Sequence, residues 1–298
     1  MKRWKVSDSL ALWLIAIPGI LYFIIFKYVP LLGNVIAFQD YSIFKGVFGS
    51  PFVGWKHFIF MFRYEEFINI LKNTLLISFY QIIFGFPAPL LLALLLNEIR
   101  LVLFKRTVQT LLYLPHFLSW VIVGGIFINL LAFDGIFNQL LKNLNLASID
   151  LISDQRYFRS VVVFSAIWKE VGWGMIIYLA AISGINQHLY EAAVIDGANR
   201  WRLMWSVTLP SIIPAIVTLF LLRIGNLLDA NVEQMLVLLN PLVRPVGEVI
   251  DTYVYRAGLQ GAQFSFTTAI GLFKSIIGLV MIVGLNQVSK KTTGSGIY

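Results

Sequence analysis

The chain of 298 residues has no cysteine, so neither a disulfide framework nor a thiolate metal site is available to it. Histidine is nearly as scarce. His57, His116 and His188 lie far apart, no HExxH or comparable ligand spacing occurs, and metal chemistry is not expected. No nucleophile, histidine and acid constellation supports a membrane-embedded enzyme. A GxxxxGK phosphate loop followed by Ser or Thr is also missing, so ATP hydrolysis is not expected in this polypeptide. Charge itself is in short supply, at 13% of residues against about 25% in an ordinary soluble domain. No Gly/Ser-rich or Pro-rich linker divides the chain and no repeat stands out, which leaves 1–298 as one domain.

What is abundant is apolar sequence, 58% of the chain. A helix needs roughly 20 apolar residues to cross a hydrocarbon core, and six segments qualify, near 9–29, 72–96, 108–132, 161–184, 212–236 and 264–286. The chain therefore reads as an all-α integral membrane protein with six transmembrane helices. The first segment is flanked by Lys2, Arg3 and Lys5 like a signal peptide. It has no small-x-small cleavage site and is as long as an anchor, so it is expected to be retained.

The net charge of +8 belongs with the membrane rather than with nucleic acid. Lys2, Arg3 and Lys5, then Arg100, Lys105 and Arg106, then Arg200 and Arg202, then Lys290 and Lys291 fall on one side of six spans, in compact loops. Lys45, Lys56, Arg63, Lys142, Arg156, Arg244 and Arg256 are spread through longer loops on the other side. The bias places both termini in the cytoplasm. On the outer side, "PFVGWKHFIFMFRYEEF" and "ASIDLISDQRYFR" mix aromatic and charged residues as interfacial helices do. Gly85, Pro87 and Pro89 in span 2, Pro115 in span 3, and Gly172 and Gly174 in span 4 suggest bent helices around a path.

One charged stretch interrupts the apolar chain between spans 4 and 5: "EAAVIDGANRWRLMWSVTLP", residues 191–210. It reads as an elbow of two short helices. Asn186 is a plausible N-cap of the first, and Gly197 permits a sharp turn after Val194. The second begins near Asn199, with Trp201, Met204, Trp205 and Thr208 at helical spacing on one face. Pro210 is expected to end it and launch span 5. Glu191, Ala192 and Ala193 would then be exposed at the tip, where small side chains allow close approach of a partner surface.

The pattern Glu-Ala-Ala, three residues, Gly, nine residues, Ile or Val, one residue, Leu-Pro is matched by Glu191, Ala192, Ala193, Gly197, Val207, Leu209 and Pro210. It resembles the EAA loop of permease subunits in bacterial ATP-binding-cassette importers. "FKYVPLLGNVIAFQDY", "NTLLISFYQIIFGFPAPLLLALLLNEIR", "QTLLYLPHFLSW", "VIDTYVYRAGLQ" and "FSFTTAIGLFKSIIGLV" resemble the oligosaccharide and polysaccharide branch of that family, to which an alginate importer belongs. Gln187 and His188 depart from it, standing where relatives often have a proline and an acid. The resemblance implies a type I importer permease of MetI-like fold, coupled through the loop at about 186–210. It also implies a second permease subunit, more often a different chain, and two ATPase subunits that bind ATP and magnesium. An extracytoplasmic solute-binding protein would complete the assembly.

Ionisable residues inside spans are expensive in hydrocarbon and usually face protein or water. Lys169 and Glu170, Arg223, Asp229 and nearby Glu233, and Lys274 form that set, with Trp168, Trp173, Tyr178 and Asn226 near them in sequence. Aromatic faces stack on sugar rings, and amide or charged groups hydrogen-bond hydroxyls, so these residues suit a carbohydrate path. The cations would also suit uronates such as those of alginate. The alternative at these positions is structural, with Lys169 and Glu170 paired to other helices and Arg223 or Lys274 snorkelling to an interface. A sugar channel or secondary transporter without an ATPase is the competing function; it predicts buried acid relays and inverted repeats, and neither is seen.

Overall fold

The computed structural model describes residues 8–293; among them the chain is helix, turn and coil apart from one isolated bridge between Gln39 and Phe52. In chain order the elements used below are α1 (Asp8–Phe23), α2 (Lys56–Arg63), α3 (Glu65–Tyr80), α4 (Pro87–Asn97), α5 (Val102–Tyr113), α6 (Trp120–Leu131), α7 (Gln155–Ser183), α8 (Gln187–Ile195), α9 (Arg200–Leu203), α10 (Ile213–Gly225), α11 (Val232–Leu238) and α12 (Phe264–Thr293). Five stretches are long and apolar enough to cross a membrane: Leu12–Phe38, Glu65–Asn97, Trp120–Asn143, Gln155–Ser183 and Phe264–Lys291. A sixth is present if Arg200–Ser211 and Ile213–Gly225, bent by 60° to one another, count as one. Lys2, Arg3 and Lys5 lie outside the described residues.

Two of the six expected spans are interrupted. The one expected over 108–132 is cut at Leu114–Phe117, a 3₁₀ turn containing Pro115. Leu118 is extended, Ser119 caps the next helix by accepting a hydrogen bond from Ile122 N at 3.4 Å, and the span runs on from Trp120 to Asn143. The span expected over 212–236 stops at Gly225. Asn226 to Ala230 form a turn and coil, and Asn231 restarts the helix as the N-cap of α11, accepting from Gln234 N at 3.0 Å. Both breaks supply the first-turn donors of a new helix with a side-chain acceptor, the arrangement that makes a helix start favourable.

Three helical wide turns share one local cause. Val29 N bonds to Ile24 O, Phe86 N to Gln81 O, and Leu209 N to Met204 O, each spanning five residues, and each donor is followed directly by a proline: Pro30, Pro87 or Pro210. In a regular α-helix the proline ring would collide with the carbonyl four residues back; widening the turn relieves the clash without ending the helix. Pro210 therefore does not terminate its helix. The chain stays helical to Ser211 and bends at Ile212, just before Pro214.

Gly172 and Gly174 do not bend span 4 either, because α7 is one continuous helix of 29 residues. They serve close packing. A Cβ on Gly172 would lie 2.0 Å from Leu112 O, and one on Gly174 would lie 2.9 Å from Pro89 Cγ.

The chain divides into two compact units. One comprises residues 254–273 with the described part of 1–64. Its centre is aromatic: Phe38 lies 5.3 Å from Phe58 and 5.4 Å from Trp55, and Phe266 meets Phe60 at 5.2 Å and Tyr64 at 6.0 Å. The other comprises 65–253 with the described residues from 274 onward. Its core has two clusters, one built around Trp120, Phe127, Phe158, Met235 and Leu238, the other around Ala93, Leu94, Met175, Tyr178 and Ile212. α7 runs through both and packs on α4, α5 and the turn at Pro115.

Candidate substrate cavity and the Glu-Ala-Ala elbow

Within the second unit, the wide turn after α3, α4, the first residue of α6, α7, α10, the break after α10 and the start of α11 line a cavity of about 620 Å³, within the roughly 300–1,000 Å³ of small-molecule sites. Glu170, Trp173, Tyr178, Arg223, Asn226 and Asp229, all expected from the sequence, line it. Gln81, Trp120, Asn231 and Gln234 line it as well and were not foreseen. Their missing signal is positional: Gln81 sits in the wide turn ahead of Pro87, and Asn231 and Gln234 belong to a helix start that the apolar run around them conceals.

Each ionised group of the wall has a distinct partner. Glu170 accepts from His116 Nδ1 at 2.7 Å and lies 3.5 Å from Lys169 Nζ. His116, carried by the 3₁₀ turn, stacks flat on Trp173, with centroids 4.6 Å apart and planes 4° from parallel. That stack leaves Trp173 about half exposed toward the cavity. Lys169 is not a free path residue. It is buried, donates to His116 O at 2.6 Å, lies 5.6 Å from the Trp120 ring centroid, and reaches only a smaller neighbouring space of about 400 Å³ with Glu170, Asn231 and Glu233. Lys169 and Glu170 are thus both paired to another element, the turn that carries Pro115 and His116, as in the structural alternative, while Glu170 still faces the cavity. Trp168 does not line it either, packing edge-on against Phe127 at 5.7 Å.

Lys274 does not snorkel. It is clamped between Asp229 and Asp251, and Asp251 also accepts from Ala230 N at 3.0 Å. The clamp ties α12 to the break after α10 and compensates the charge that Asp229 brings to the cavity. Lys274 itself is behind the wall rather than in it. Arg223 differs from all of these. It donates to the side-chain oxygen of Gln81, a neutral acceptor, and among the described residues it has no carboxylate partner. Of the cavity's ionised groups it is the one whose charge no neighbour of opposite sign compensates.

At the elbow both short helices start on an asparagine cap. Asn186 caps α8, accepting from His188 N at 3.0 Å, and Asn199 caps α9, accepting from Arg202 N at 2.9 Å. Gly197 sits at φ +80°, a conformation costing about 1–2 kcal/mol in other residues. Glu191 and Ala192 are exposed and Ala193 half-buried. His188 approaches Glu191 at 3.1 Å, so one of the two unusual residues ahead of the motif contacts its acid. Tyr190 and Thr208 hydroxyls meet at 2.9 Å and join the two arms. The expected single face of the second arm is divided: Met204 and Thr208 are buried, whereas Trp201 and Trp205 are more than half exposed. Val207, Leu209 and Pro210 continue from it into the bent span.

Helices long and apolar enough to cross a membrane, with a cavity among them that carries charged, amide and aromatic groups, are the build of a multi-pass membrane permease. The chain belongs to the family described as binding-protein-dependent transport system inner membrane component, whose model matches residues 85–294. It is 48% identical to the polygalacturonan/rhamnogalacturonan transport system permease protein YteP of Bacillus subtilis (strain 168), covering 99% of this chain and 92% of that one. Protein LplB of the same organism is 45% identical, covering 96% and 91%. Among solved structures, a bacterial alginate ABC transporter in complex with alginate pentasaccharide-bound periplasmic protein superposes with a TM-score of 0.91 at 38% identity, covering 98% of both chains. The fold is accordingly MetI-like, that of an ABC importer permease.

Proposed function

We infer that this chain is the membrane-spanning subunit of an ATP-driven importer of acidic oligo- or polysaccharides, receiving uronate-rich sugar from an extracytoplasmic solute-binding protein. The substrate class rests on one observation: Arg223 faces the cavity with only an amide for a partner, so a sugar carboxylate would meet an uncompensated guanidinium, the strongest pairing available there. Trp173 supplies an aromatic face for a sugar ring, and Gln81, Asn226, Asn231 and Gln234 supply amide dipoles for hydroxyls. The names of the relatives, a polygalacturonan/rhamnogalacturonan permease and an alginate transporter, support the same chemistry.

Residues 1–298 act as one permease domain with both termini in the cytoplasm. The elbow at about 186–210 docks on an ATPase subunit, with Glu191, Ala192, Ala193 and Gly197 at the contact and Val207, Leu209 and Pro210 leading into the bent span. ATP and magnesium are bound by two such subunits, and a second, different permease chain completes the membrane part.

The test is reconstitution with those partners. Arg223→Gln is expected to lower uptake of uronate oligomers about tenfold, the equivalent of ~1.4 kcal/mol, while uptake of neutral oligomers changes little. An equal effect on both would overturn the charge-selective route. Glu191→Lys is expected to leave the protein folded in the membrane with substrate-stimulated ATP hydrolysis no longer coupled to uptake; wild-type coupling would refute the elbow's role.

A further inference from the structure

A second cavity of the same unit has no part in that reading. It lies between α3 with the wide turn that follows it and α7, and measures about 520 Å³. Its ends differ in chemistry. Arg156, Arg159 and Ser160 form one end, from the first two turns of α7; Phe84, Phe164 and Ile167 form the other.

The two helices run side by side in the same direction. Arg159 donates to Asn73 Oδ1 at 2.8 Å near one end, and twelve residues along the first strand of contact a Cβ on Gly85 would lie 3.6 Å from Ile167 Cγ1 near the other. The groove therefore follows the direction of a membrane span. With 29 residues α7 is roughly 44 Å long against about 30 Å of hydrocarbon, so its first turns fall at headgroup level and Phe164 and Ile167 lie deeper.

Of the two charges at the shallow end, that of Arg159 has no carboxylate partner among the described residues. Arg159 donates from Nε to Val246 O at 3.1 Å and to the Asn73 amide oxygen, both neutral acceptors, and no described carboxylate pairs with it. Arg156 is forked onto Asp154 at 2.6 Å, yet its side chain remains 79% exposed at the lip. At the deep end the Tyr80 hydroxyl is the one polar side-chain group, while Phe84 and Phe164 are 58% and 62% exposed. A sugar would leave its hydroxyls unpaired among those rings. A molecule with an anionic head and a hydrocarbon tail matches both ends.

We propose that this groove binds an anionic phospholipid, its phosphate held by Arg159 and Arg156 and an acyl chain laid along Phe84 and Phe164. The attraction of a basic residue for an anionic lipid surface is about 1 kcal/mol, so loss of either arginine corresponds to about fivefold weaker retention.

The experiment uses the intact transporter complex, equilibrated in detergent with phosphatidylglycerol and phosphatidylcholine and read by native mass spectrometry. The wild type is expected to retain phosphatidylglycerol selectively, and Arg159→Gln and Arg156→Gln to lose that preference about fivefold each, with Arg159→Lys keeping most of it. Among the described residues the Arg156 side chain meets Asp154 and the Tyr157 ring, both its near neighbours in sequence, so its variant remains informative if Arg159→Gln fails to fold. In parallel, Phe84→p-benzoylphenylalanine is expected to cross-link to lipid on illumination. Equal retention of the two lipids by the wild type, unchanged selectivity in Arg156→Gln, or capture of a neighbouring protein subunit from position 84 would each overturn the proposal. None of these outcomes depends on which sugar is transported.

Discussion

At the scale of single residues, the glycines of the spans are governed by proximity rather than by flexibility. The atoms nearest a Cβ on Gly172 are backbone, Leu112 O at 2.0 Å and Tyr113 N at 2.9 Å, and backbone has no rotamer through which to retreat. Gly172→Ala is expected to destabilise the protein by about 1–3 kcal/mol, the usual cost of overpacking, seen as a lower melting temperature in detergent. Gly225→Ala meets Ile282 Cγ1 at 2.1 Å, a flexible side chain, so its effect should be smaller and relieved by Ile282→Ala, which removes that atom. Ala262 presents the opposite case, a non-glycine residue held at φ +54°. Ala262→Gly is expected to stabilise by about 1 kcal/mol, again measured by thermal unfolding; a loss of stability would mean that its methyl group packs usefully.

At the scale of elements, sequence patterning located the apolar runs but not where two of them are interrupted. Hydropathy averages over a window, and in "RIGNLLDANVEQM" four leucine and isoleucine-class residues outweigh the polar ones that matter. The cue was local: Gly225 and Asn226 close one helix, and Asn231 with Gln234 three residues on opens the next. Of the ten ionisable, aromatic and amide residues singled out for a carbohydrate path, six line one cavity; which of them were already paired depended on contacts from distant elements, such as His116 to Glu170 and Lys274 to Asp251, that no spacing encodes. Because Lys274 is shared by two acids, Lys274→Met should leave both uncompensated and loosen the break, costing roughly 2 kcal/mol after allowance for their partial exposure. Adding Asp251→Asn should recover part of that loss; no recovery in a thermal melt would show that the clamp is not electrostatic. In the other unit, the hydrogen bond from Lys56 at 2.6 Å, opposed by desolvation and assisted by the charges of Lys56 and His57, holds the Asp40 carboxyl below its ordinary value of 3.8. A lowered folded value means that the contact stabilises above pH 3.8 and is lost as pH falls through the folded value. Hydrogen-exchange protection of residues 39–57 is expected to drop below that pH in the wild type and to show no such step in Asp40→Asn.

At the scale of the whole chain, the exposed surface of the elbow and the wall of the cavity that carries Arg223, Asn226 and Asp229 belong to one continuous stretch of polypeptide, 187–231, in which α8, α9 and α10 follow one another with only short breaks. Within it Ile195 is 86% exposed and Trp201 and Trp205 more than half, an apolar patch of a kind that soluble surfaces seldom leave uncovered. Replacing Ile195 and Trp201 together with serine is expected to reduce recovery of ATPase subunits in pull-downs of the assembled transporter, with little change in the permease's own melting temperature; undiminished recovery would place the docking face elsewhere. Between that patch and the cavity lies the turn Met204–Thr208, which carries one residue more than a regular helix would hold. An extra residue is worth about 100° of rotation along a helix. The proline behind it thus fixes which way the elbow points as seen from the span: with Pro210→Ala the turn is free to tighten, and the exposed patch would swing round the axis while every side chain it presents remained unchanged.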